Sequence, residues 1–237
     1  VEGIRERRRQ ELITELREIA HRHLVEHGAA GLSLRAIARD AGISVSALYR
    51  YFAHRDDLLT DLLVRAFDDQ ADTVEAAARE ADADPGAAVV AGLRAYRRWA
   101  VRHPAEFGLA YGAPVPGYSA PAERTIRAAT RVGDLLNGLL LKAWEAGVLN
   151  RAAIRARAPR LGAATAAQLE ALRVRRGYGG PPALTAVTMD AFITLHGFVL
   201  MEVFGQLRPV TPDAEPYFEE ILAEQLRRLG IAATALP

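Results

Sequence analysis

Apolar residues along this chain recur three and four positions apart, and no stretch alternates apolar with polar for long. Ala, Leu, Glu and Arg fill those stretches, so the pattern predicts an all-α fold of about nine helices and no sheet. A first helix is expected from Ile4 to His27, closed by Gly28. A second, Leu34 to Ala41, puts Leu34, Ile37, Ala38 and Ala41 on one face; a third runs from Val45 to Phe52 and a fourth from Arg55 towards Arg79. Later helices are expected near 87–102, 104–111, 122–146, 165–173, 185–206 and 213–229. Pro and Gly punctuate the chain between them. The stretch 173–184, "RVRRGYGGPPAL", reads as a mobile loop. Thr185 to Leu207 is apolar nearly all round and long enough to raise the question of a membrane span. It contains Asp190, His196, Glu202 and Gln206, so it reads as a core or interface helix that more than one neighbour must cover.

The most legible segment is "DAGISVSALYRYFAHRDDLL", Asp40 to Leu59. With Leu48 pointing inward, a step of ~100° per residue brings Phe52 inward too. Ser46, Tyr49 and Arg50 then share the opposite face. Gly42 can adopt the left-handed conformation that ends the second helix, Ile43 fills the corner, and Ser44 caps the third. Two short helices joined by Gly-Ile-Ser have the layout of a helix-turn-helix, whose second member enters a DNA major groove. The side chains suit that task. Arg50 can grip a guanine bidentately, Ser46 can bond a base or phosphate, and Tyr49 offers a ring and a hydroxyl. Ser33 should cap the second helix and turn Arg35 towards DNA. Tyr51 and Arg55 flank the path of a phosphate backbone.

Charge sharpens this picture. The net charge is only +1, but residues 1–55 hold ten Lys/Arg against seven Asp/Glu, and four of the six histidines. Positive charge gathers at the N-terminal end, where Arg5, Arg7, Arg8 and Arg9 could serve as a basic arm. The absence of cysteine removes disulfides, thiolate metal sites and cysteine catalysis, and fits a cytoplasmic protein. No Lys/Arg-led apolar segment opens the chain, so no secretory signal is expected.

These residues carry a resemblance. Gly31, Ser33, "AGIS" (41–44), "LYRYF" (48–52) and "HRDDLL" (54–59) follow the pattern of the DNA-binding domain of TetR/AcrR-type transcriptional regulators. The chain departs from it at Val45 and Ala47, where many members carry a polar or small hydroxylated residue. Further on, "HPAEFGLAYGAPVPGYSAP" and "LHGFVLMEVFG" resemble the C-terminal domain of actinobacterial members with a His-Gly pair on the penultimate long helix. The resemblance implies a DNA-binding domain at 1–55 and a ligand-binding and dimerisation domain at 56–237. It implies a homodimer built on a four-helix bundle, a near-palindromic operator, and release by a small-molecule effector. Gly197, Met201, Phe204, Phe218, Leu222 and Leu226 are the expected dimer residues, with Gly197 and Gly205 permitting close helix approach.

Trp99, His103, Phe107, Tyr111, Trp144, Phe192 and His196 could line the ligand cavity, and so few charges there favour an apolar or aromatic effector. His103 could instead cap a helix boundary. "HLVEH", His23 to His27, matches an inverted zinc-protease pattern, but its place on the first helix favours a solvated face and no metal. No catalytic triad, phosphate loop or paired-carboxylate motif stands out, so no enzyme activity and no cofactor are expected. Asp56-Asp57 reads as helix-start charge.

Overall fold

The structure is a computed structural model that describes residues 2–156 and 161–231, apart from the side chains of Glu2 and Arg5. Among the described residues it contains eleven α-helices and no strand. They are α1 Glu2–Gly31, α2 Leu34–Asp40, α3 Val45–Leu48, α4 Arg55–Glu80, α5 Pro85–Arg102, α6 Pro104–Tyr111, α7 Ala122–Glu145, α8 Arg151–Arg155, α9 Ala163–Arg176, α10 Pro182–Val203 and α11 Glu215–Leu229. The all-α expectation is met. The count rises because the Asn150 side chain accepts the Ala153 N–H at 3.0 Å and starts a short α8 in the Ala/Arg-rich stretch.

The chain divides into two compact units, Val1–Asp68 with His103–Ala129 and Asp69–Arg102 with Thr130–Pro237. In the first, Leu16, Ile19, Leu24, Ile37, Leu48, Phe52, Leu58 and Leu59 form the core. Gly28, at φ 68 and ψ 172, breaks α1 where the pattern places its end, and one more turn follows to Gly31. Arg17 on α1 forks onto Asp61 of α4 at 2.8 and 2.6 Å. This unit also recruits α6 and the start of α7. Val115 and Tyr118 of the α6–α7 loop pack against its core, and the Tyr118 hydroxyl lies 3.0 Å from Thr60 Oγ1. Arg124 of α7 donates to Asp57 at 2.8 Å, and Asp57 accepts the His54 N–H at 3.1 Å. The Arg124 hydrogen bond outweighs the opposing effect of burial and, with the His54 amide, holds the Asp57 carboxyl below its ordinary value. Asp56 and Asp57 thus supply the acidic first turn of α4.

In the second unit α10 touches α5, α8, α9 and α11, the several neighbours that its apolar sequence requires. By length and composition alone, α10 is the one described helix that could cross a membrane. Arg97 of α5 is buried, donates to Glu202 of α10 at 2.8 and 2.6 Å, and lies 5.1 Å above the Phe218 ring of α11. Arg94 makes a second bidentate pair with Glu219, tying α5 to α11. The expected mobile loop at 173–184 is largely tied down instead. Residues 173–176 continue α9, Arg173 donates to the Tyr178 carbonyl at 3.1 Å, and the Tyr178 hydroxyl donates to Asp134 at 2.7 Å. Arg176 also forks onto Asp134. Arginine side chains that read as loop-like in sequence have found carboxylates and carbonyls.

Leu48 is fully buried and Tyr49 about half exposed, so adjacent residues of α3 should respond differently to truncation. Leu48→Ala should lower unfolding stability by about 2–4 kcal/mol in guanidinium titration, whereas Tyr49→Ala should change it by under about 1 kcal/mol.

Candidate nucleic-acid interface

The site begins at Ser33, the N-cap of α2, whose side chain accepts the Ala36 N–H at 3.4 Å. Arg35 is exposed in the turn that follows. Gly42 takes φ +66, the Ile43 N–H donates to the Ala38 carbonyl at 3.0 Å, and Ile43 packs half-buried on the core. Ser44 then caps α3, accepting the Ala47 N–H at 3.2 Å, with its hydroxyl 3.0 Å from that of Ser46. The regular part of α3 is shorter than the expected 45–52. Arg50 N–H donates to Ala47 O at 3.2 Å and Tyr51 N–H to Leu48 O at 2.9 Å, a three-residue spacing that tightens the last turn.

The two faces separate as the periodicity predicts. Leu48 and Phe52 are buried, whereas Ser46, Tyr49 and Arg50 are exposed. Tyr51 is half-buried against the core. Arg55 does something else. Its Nε donates to Leu32 O at 3.0 Å, and one Nη donates to Ala29 O at 2.7 Å and Ala30 O at 3.0 Å. These are carbonyls at the end of α1, so Arg55 braces the unit that presents α3. Partners more than twenty residues earlier leave no trace in local sequence.

Among the basic head, Arg7, Arg8 and Arg9 are exposed on α1, and the Arg5 side chain lies outside the described residues. The backbone there is helical from Glu2, not an extended arm, because good helix formers continue to the end. His23 is buried and bonds Asp40 of α2 at 2.7 Å, while His27 meets its ring edge-on. The His23 hydrogen bond, and then that from Arg39, holds the Asp40 carboxyl below its ordinary value. Among the described residues no group of three or more His, Asp or Glu is placed to hold a metal.

The expected ligand residues fall in different places. His103, Phe107 and Tyr111 belong to the first unit. His103 stands at the N-cap position of α6 without a capping bond, and its Nδ1 lies 3.8 Å from Glu106. Phe107 and Tyr111 rings are 4.9 Å apart, with Phe67 against Tyr111 at 5.7 Å. In the second unit the Trp99 indole donates to Asp69 at 2.6 Å, and Trp144 carries Arg151 and Arg155 over its ring. Phe192 and His196 stack at 5.3 Å, and the Tyr96 hydroxyl meets His196 Nδ1 at 2.7 Å. Tyr96 is the member that the sequence pattern does not single out; flanking arginines in "RAYRRW" disguise an inward position.

The expected dimer residues divide as well. Met201 and Phe204 are exposed, and a Cβ at Gly197 would meet nothing within 4 Å. Phe218, Leu222 and Leu226, at 1%, 0% and 1% exposure, are instead consumed by the chain's own core. The outer face of α11 carries Tyr217, Glu220 and Arg228. Gly205, at φ +73, follows the last turn of α10 and ends it.

Comparison with known proteins gives consistent matches. The family described as "Bacterial regulatory proteins, tetR family" matches residues 16–62, and "Tetracyclin repressor-like, C-terminal domain" matches 89–225. The chain is 41% identical over 205 residues to the HTH-type transcriptional regulator Rv1816 of Mycobacterium tuberculosis, covering 86% of each chain. A counterpart in Mycobacterium bovis matches equally. Among solved structures, the regulatory protein SCO4313 superposes with a TM-score of 0.74 at 31% identity, covering 94% of this chain and 98% of that one. A Rhodococcus protein of unknown function gives 0.65 at 25% identity, covering 92% and 93%.

Burial lowers the His196 imidazole below its ordinary 6.5, so the folded chain favours the neutral ring. At higher pH the ring is neutral in both states and contributes nothing. As pH falls through 6.5 the unfolded chain takes up the proton first, and stability declines until the lower folded value is passed. His196→Asn should remove this part of the decline, read as a smaller drop in thermal midpoint between about pH 7.5 and about pH 5.5.

Proposed function

The chain belongs to the tetR family of bacterial regulatory proteins, and from that premise we propose that it is a ligand-responsive repressor working as a homodimer on a near-palindromic operator. The observation that carries the reading is the outward set Ser46, Tyr49 and Arg50 on a helix whose opposite side, Leu48 and Phe52, is locked in the core. A helix held this firmly can present its polar face to base edges without losing its own packing. Arg50 is assigned to a base, Ser46 and Tyr49 to base or phosphate, and Ser33, Arg35, Ser44 and Tyr51 to the flanking backbone. Arg55 positions the head through its bonds to the carbonyls around the end of α1.

On this reading residues 1–55 bind DNA in the cytoplasm, and 56–237 hold the effector and the dimer interface. Two heads enter successive major grooves ~34 Å apart, or a multiple of one turn. The interface uses the exposed apolar face of α10, where Ile193, Gly197, Met201 and Phe204 succeed one another at helical spacing. An apolar or aromatic effector meets Phe192, His196 and Tyr96 in the larger half. It weakens operator binding only by its differential affinity for the two head arrangements.

Operator fragments recovered from the genome with the full chain permit the test. Arg50→Ala should weaken binding by about 10–100-fold in anisotropy titrations, and Tyr49→Ala by about tenfold. Both should leave the helical circular-dichroism signal unchanged. Wild-type affinity in both variants would remove α3 from the interface.

A further inference from the structure

Both carboxylate oxygens of Asp57 on α4 are engaged, and they serve segments far apart in the chain. Oδ2 accepts the His54 N–H at 3.1 Å. His54 stands just ahead of Arg55, the first residue of α4, so Asp57 reaches back from the third helical position in half of a capping box. Oδ1 accepts from the Arg124 guanidinium of α7 at 2.8 Å. A carboxylate held at both oxygens is fixed about its Cβ–Cγ bond. Without Arg124 it can turn, and the cap at His54 loosens. Phe52, which anchors the end of α3, lies only two residues before His54. The setting of this carboxylate therefore bears on how the chain leaves α3. A neighbouring contact comes from the same α6–α7 segment. The Thr60 hydroxyl spends its one proton on the Asp56 carbonyl at 2.7 Å, so the Tyr118 hydroxyl, 3.0 Å away, donates to it. Val115 and Tyr118 hold that segment on the head core. The Arg124 and Asp57 side chains are 46% and 33% exposed, and a pair so wet adds little to stability. What it can fix is direction.

We propose that Arg124 is a positioning residue for DNA reading: through the shared Asp57 carboxylate it holds the α3–α4 junction, and so the outward aim of Ser46, Tyr49 and Arg50. This role rests on the DNA-binding reading of α3 and extends it to a residue outside 1–55. Arg124 acts through Asp57, not on a phosphate.

The test uses the full chain and the recovered operator fragments. Without DNA, Arg124→Ala should move the amide NMR signals of Tyr49, Arg50 and His54 while the thermal midpoint stays within about 2 °C of wild type. With operator it should bind about tenfold more weakly, and Arg124→Lys should recover most of that loss. Asp57→Asn keeps an oxygen for the His54 amide but loses the charge, so adding Arg124→Ala to it should weaken binding by under about twofold more. The slope of log affinity against log salt should match wild type, since no phosphate contact is lost. Unmoved amides at 49–54, a loss that Lys does not recover, additive losses in the double variant, or a slope shallower by about one overturns the proposal. So does unchanged affinity in Arg124→Ala where Arg50→Ala binds weakly. If Arg50→Ala binds as wild type does, the reading of α3 falls instead, and the amide signals alone decide whether Arg124 positions that helix.

Discussion

A four-residue helix cannot hold itself together, since nucleation fixes several residues for a single hydrogen bond. Whatever α3 does, it does because other parts of the chain hold it. Leu48 enters the core from below, and Phe52 follows one turn later. Ser44 closes the leading end, and Ile43 wedges the corner against α2. Arg55 ties the trailing end to the carbonyls of Ala29, Ala30 and Leu32 around the close of α1. The polar face of α3 is therefore oriented by residues that are themselves hidden. The outward side chains can therefore be changed without loss of core packing, and the inward ones cannot.

A comparable economy governs the second unit. Arg97 is nearly sealed from solvent, and a guanidinium in that position is tolerable only with its fork fully engaged. Glu202 supplies both acceptors from α10, and Phe218 supplies a π face from α11. Burial disfavours the charge, but the Glu202 hydrogen bonds and field more than compensate, so the guanidinium holds its proton more tightly than in water. Because a bidentate pair is directional, Arg97 sets the rotation of α10 as well as its closeness. With α10 so oriented, Leu195, Phe198 and Val199 turn inward, while Ile193, Met201 and Phe204 turn outward.

Local patterning served the helix-turn-helix well because its determinants lie within a dozen residues. Gly42, Ser44, Leu48 and Phe52 each act on immediate neighbours, and their roles follow from spacing. The bracing bonds of Arg55 escaped that reading because their partners lie more than twenty residues earlier in the chain. On α11 the difficulty was of another kind. Periodicity identifies an apolar stripe but not its claimant, and Phe218, Leu222 and Leu226 serve the chain's own core. Tyr96 was hidden by its arginine neighbours, and 173–184 by a composition that local rules assign to loops, although Asp134 waits on α7 to anchor Arg176 and Tyr178.

Ser44 and Ser46 show how far the exposed face of α3 is already committed. The Ser44 hydroxyl accepts the Ala47 amide, which leaves its proton to offer. Ser46 lies within reach of that proton, so the two hydroxyls are coupled. A phosphate arriving at Ser44 would accept a hydrogen bond from its O–H without breaking the cap, because the cap uses only a lone pair. Ser46 would then be released to turn its hydroxyl outward. Capping and a hydrogen bond to an anion are therefore compatible in one side chain, and Ala at 44 would lose the cap, whereas Ala at 46 would leave it intact. The hydroxyl that starts the helix also arms the next one.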